Sequence, residues 1–131
     1  MKLIKIIPAL AIVSTIAACG EDFEWFPDVE DTFAPSITAS VSGKPLFDNR
    51  TTLVSLPAMV TFSANEPATV YYTTNGSAPS TASASVNIAT ANSSAEGPSI
   101  TITNTVLKFF GIDKSARLNQ SNTVTTYIKS P

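Results

Sequence analysis

The sequence predicts an all-β domain, an antiparallel sandwich of about seven short strands, behind an exported N-terminal segment. Three observations carry this. Apolar and polar residues alternate in short runs through most of the chain after residue 35. Clusters of Asn, Gly, Pro and Ser separate those runs. No stretch after residue 35 repeats its apolar residues at helical spacing.

Residues 1–18 come first and stand apart. Lys2 and Lys5 give a positive start, and Ile6 to Ala18 carry no charge. That run is shorter than the roughly 20 residues that cross a hydrocarbon core, and Pro8 interrupts it. Positive, apolar, then small residues is the order of a secretory signal peptide. Its end, Ile16-Ala17-Ala18-Cys19, resembles the lipobox of bacterial lipoproteins. The resemblance implies cleavage between Ala18 and Cys19, diacylglycerol on the Cys19 sulfur and acylation of the new amine. Thiolates are strong nucleophiles, and several acyl chains, at about 0.8 kcal/mol per buried CH₂, anchor firmly. Cys19 is the only cysteine, so the chain forms no internal disulfide. Gly20, where an aspartate would retain a bacterial lipoprotein at the inner membrane, implies the outer membrane.

Residues 19–35 read as a tether. Glu21, Asp22, Glu24, Asp28, Glu30 and Asp31 are acidic, with no basic residue before Lys44. Pro27 and Pro35 break any regular period, and like charges extend the segment. Phe23, Trp25 and Phe26 are interleaved. Trp25 and Phe26 are therefore candidate contacts for a partner.

The folded domain is assigned to 36–131. "SITASV" puts Ile37, Ala39 and Val41 on one face. "AMVTFSA" points Val60, Phe62 and Ala64 inward. "TVYYTT" groups Val70 with Tyr72, "SVNIA" groups Val86 with Ile88, and "SITIT" groups Ile100 with Ile102. "TVLKFFGID" is apolar on both faces, the mark of a central strand. "NTVTTYIK" sets Val124, Thr126 and Ile128 against Tyr127. "GKPLFDN", "NGSAPST", "ANSSAEGP" and "DKSARLNQSN" read as connections. Strands of this number and length match the size of an immunoglobulin-like sandwich.

Two stretches then carry a resemblance: Tyr72-Thr73-Thr74 with Gly76, Ser77 and Pro79, and Leu107-Lys108 with Asp113 and Asn119. Across roughly Val60 to Ile128 the chain resembles the chitobiase/β-hexosaminidase C-terminal-like domain. That implies an immunoglobulin-like sandwich acting as an accessory module without catalytic residues. Asn75 stands where that family usually has aspartate, and the turn after Asp113 is longer and lacks its glycine. Both departures bear on any local ion or hydrogen-bonding site.

The chemistry is sparse. There is no histidine, which removes the commonest general base and metal ligand. Asp48, Glu66, Glu96 and Asp113 lie on separate turns, and their spacing suggests no convergent pair of the kind a glycosidase needs. Asp113 reads as a turn-forming residue. No catalytic residue, metal ligand or cofactor is expected. Without residues 1–18 the chain has six basic residues against ten acidic ones, a net charge of −4, and no basic stripe for nucleic acid. The expectation is a non-catalytic cell-envelope lipoprotein, held to the membrane through lipid on Cys19, whose sandwich engages a protein partner. The alternative is a polysaccharide-binding or adhesion module. Exposed Tyr71 and Tyr127 on adjacent strands would mark the latter, and their burial would count against it.

Overall fold

The computed structural model describes residues Asp31–Pro131, which form one compact unit. The strands are β1 (Ile37–Val41), β2 (Lys44–Leu46), β3 (Thr51–Leu53), β4 (Ala58–Ala64), β5 (Ala68–Thr73), β6 (Ala84–Ile88), β7 (Ser93–Ile100), β8 (Thr105–Asp113) and β9 (Val124–Lys129). One sheet has five strands in the order β3-β9-β8-β5-β6, the other four in the order β2-β1-β4-β7. The domain is an immunoglobulin-like β-sandwich, with no helix among the described residues.

The alternating runs land as read. Ala39, Val41, Val60, Phe62, Val70, Leu107, Phe109 and Ile128 are buried between the sheets. The Phe62 ring meets Phe109 edge-on at 5.2 Å and stacks on Tyr72 at 5.7 Å, the two arrangements that suit aromatic quadrupoles. β8 is the middle strand of its sheet, as its two apolar faces predict.

Three expectations need correction. First, "GKPLFDN" is not only a connection. Ser42 and Gly43 both take positive φ, 49° and 78°, the signature of a two-residue hairpin turn. The chain therefore returns at once as β2, paired to β1 from Val41↔Lys44. It then crosses to the other sheet as β3, which runs parallel to β9, so the sandwich is not wholly antiparallel. Asp48 holds this crossing: its Oδ1 accepts from the Thr125 N–H at 2.8 Å, and the Asn49 N–H donates to the Thr125 carbonyl at 2.6 Å.

Second, "ANSSAEGP" is mostly strand β7. Its register on β4 slips at a bulge between Met59 and Thr61, which places Gly97 and Pro98 where proline and glycine are tolerated. A Cβ on Gly97 would overlap the Phe62 ring at Cε2. The glycine is there because the core phenylalanine fills its space. Third, Ile102 is not a core partner of Ile100. Ile100 is buried, but β7 ends there and Ile102 is 71% exposed in the turn to β8.

Candidate functional site

The tyrosines named from sequence do not form a platform. Both lie on the outer face of the five-stranded sheet, since Tyr71 is opposite Phe110 and Tyr127 opposite Val106. β8 separates their strands, and they are offset along it by the four-residue step from Val106 to Phe110. Tyr71 is half-buried and stacks on Phe110 at 5.4 Å. Tyr127 keeps 36% exposure. Leu53, paired with Lys129 one step along, is 49% exposed. The face thus carries Leu53, Tyr127 and Val106 as a small apolar patch with Lys108 and Lys129 beside it. Cys19, Ala18, Trp25 and Phe26 lie outside the described residues.

The Tyr-Thr-Thr-Asn-Gly stretch has a different use. Asn75 Oδ1 accepts from the Ser77 N–H at 3.0 Å and the Ser77 hydroxyl at 2.7 Å, and the Thr73 hydroxyl donates to the Ser77 carbonyl at 2.6 Å. Gly76, at φ +82°, donates its N–H to the Val106 carbonyl at 3.1 Å. Asn75 therefore supplies the local hydrogen bonds that an aspartate would make there. This turn fixes Thr74 at the end of β5, beside the β7–β8 turn. A cleft of about 310 Å³ lies between them. Tyr72, Pro98, Ile100 and Ile102 give it apolar walls, and Thr74, Ser99 and Thr101 give polar ones. No charged residue lines it. Sequence reading missed it because its parts come from two connections that only the sandwich brings together.

The opposite end holds the acids. Ala68 pairs with Asp113, so the start of β5 meets the end of β8. Oxygens of Asp31, Glu66 and Asp113 lie within 4.8 Å of one another. Glu66 and Asp113 therefore converge, contrary to the expectation from their spacing, because strand pairing joins two distant turns. Asp113 is buried. Its Oδ1 accepts from the Ser115 N–H and hydroxyl at 3.1 and 2.8 Å and from the Asn119 N–H at 3.0 Å, and its Oδ2 accepts from Asn119 Nδ2 at 2.9 Å. Burial raises the pKa of this carboxyl, but the bonds from Ser115 and Asn119 outweigh it and hold the value below normal. Asn119 Nδ2 also donates to the Asp31 carbonyl at 2.8 Å, which draws Asp31 in. Burial, then the charges of Asp31 and Asp113 and a hydrogen bond with Asp31, push Glu66 above the ordinary carboxylate value. Three carboxylates match a hard-cation donor set in number, but Asp113 spends its oxygens on the turn it organises, as read from sequence. None of the three lines the cleft at the other end.

Two sheets over an aromatic core, with a neutral cleft at one end, define a small immunoglobulin-like β-sandwich domain. The family model for the chitobiase/beta-hexosaminidase C-terminal domain matches residues 51–126. The chain belongs to that family. No curated protein and no solved structure matches it.

Proposed function

We propose that the protein is a non-catalytic cell-envelope lipoprotein, anchored at the outer membrane through Cys19, whose sandwich engages a protein partner. The single observation that favours a protein over a sugar surface is the outer face of the five-stranded sheet. Tyr71 is taken up by Phe110, which leaves no tyrosine pair for a flat glycan, while Leu53, Tyr127 and the lysines beside them make a mixed apolar and cationic patch. Aromatic and apolar residues with a charged rim are the usual make-up of a protein contact. Strand addition at a sheet edge is less favoured than contact with this face, because each edge strand of one sheet lies beside an edge strand of the other, β6 by β7 and β2 by β3.

The test is cross-linking in cells with the full-length protein, followed by purification and mass spectrometry. One stoichiometric protein, lost on Tyr127→Ala with Leu53→Ser and reduced on Cys19→Ala, is the expected result. Recovery of no partner, or of one indifferent to these changes, would refute the reading.

A further inference from the structure

The cleft at the end of β5 lies off the proposed protein-contact face and has its own chemistry. Its volume, about 310 Å³, is at the low end for small-ligand sites, which run roughly 300–1,000 Å³, and suits a ring-sized ligand. Its lining mixes apolar walls with hydroxyl-bearing residues and has no ionisable acid or base. A charged ligand would find no counter-charge there, and a wholly apolar one would desolvate hydroxyls without replacing their hydrogen bonds. Thr105, also in the lining, spends its hydroxyl on the Ile102 carbonyl at 2.6 Å, which fixes the turn that carries Ile102. Among the described residues no hydrogen bond engages the hydroxyl of Tyr72, Thr74 or Thr101.

Geometry adds preorganisation. Tyr72 cannot swing freely, since its ring stacks on the fully buried Phe62. Thr74 is held by the Asn75–Ser77 turn and the bond from Gly76 to Val106. The most exposed apolar residue of the wall is Ile102. It projects from a turn whose neighbour Thr103 accepts from the Ser130 N–H at 3.1 Å. A rigid wall of this kind lowers the ordering cost of capturing a weak ligand.

We infer that this cleft is a binding site for one neutral saccharide unit, with the apolar C–H face of the sugar ring against Ile102 and Pro98 and its hydroxyls toward Tyr72, Thr74 and Thr101. A pyranose presents this pairing of an apolar face with a hydroxyl rim and carries no charge.

The experiment uses the full chain, isotope-labelled in detergent. It is titrated with soluble neutral hexose and N-acetylhexosamine tetramers, and with a uronic-acid tetramer as the charged control. The expected result is saturable binding of at least one neutral oligomer, with shifts at the Ile100 and Ile102 methyls and the Tyr72 ring. Ile102→Ala and Thr74→Val, both at exposed positions where the fold is insensitive, each weaken it about tenfold. Tyr72→Phe, which keeps the Phe62 stack, weakens it several-fold. Tyr127→Ala leaves it unchanged, so failure of the protein-contact reading is scored separately. No saturable binding, equal binding of the uronic-acid oligomer, shifts confined to the polar hollow around Thr38, Ser63 and Asn65, or preference for a neutral peptide included as competitor would each overturn the inference.

Discussion

Strands β7 and β8 follow one another in the chain and are almost equal in length, yet their compositions are opposed. β8, Thr105–Asp113, is apolar on both faces and paired on both sides. β7, Ser93–Ile100, holds serine, glutamate, glycine and proline and is paired to β4 alone. A central strand must fill two faces from its own residues. An edge strand can be held by one neighbour and contribute mainly by leaving room: Gly97 is shaped by Phe62, a residue of β4. What makes β7 a strand lies in its partner.

The contrast is tested most severely at Phe109, which is 1% exposed in β8. Phe109→Ala should cost about 3–5 kcal/mol, read from urea midpoints, whereas Ser94→Ala in the exposed part of β7 should stay within about 0.5 kcal/mol. Comparable losses at both sites would break the comparison. At the end of β8, Asp113→Ala strands four hydrogen-bond donors and should cost roughly 3 kcal/mol. Because the folded pKa of Asp113 is lowered, its contribution is present above the ordinary value of 3.8 and fades as pH falls through the folded value. Acid titration of the urea midpoint should therefore be flatter in Asp113→Asn than in the natural protein.

Gly97→Ala sharpens the argument from the β7 side. Its added methyl must displace Phe62, at an expected cost of about 1–3 kcal/mol. A neutral result would mean that β7 moves freely on β4. The smallest effect is expected at Glu66. Its folded pKa is raised, so its contribution is present below the ordinary 4.5 and lost as pH rises through the folded value. Glu66→Gln should gain about 0.5 kcal/mol at neutral pH and nothing once Glu66 is protonated, as followed by thermal melting at both pH values.

These residues also show what the sequence makes legible. Alternation identified β1, β4, β5, β6 and β9 because one face of each is buried, and unbroken apolarity identified β8. β2 and β3 were too short to show a period, and β7 hid behind turn-forming residues used at a bulge. Tyr71 and Tyr127 drew attention as exposed aromatics, but strand pairing gave Tyr71 to Phe110 and set Tyr127 on a strand that is not its neighbour. That cleft and the meeting of Glu66 with Asp113 are products of register, which composition does not encode.

The entry of the chain into the domain has a mechanical side. Pro35 is buried, the Ser36 N–H donates to Asn65 Oδ1 at 2.7 Å, and β1 then runs between β2 and β4, hydrogen-bonded on both flanks. A pull applied along β1 would load those two ladders in shear. Many bonds must then give way together, not one after another. The first strand is thus gripped from two sides, where an edge strand would be held from one.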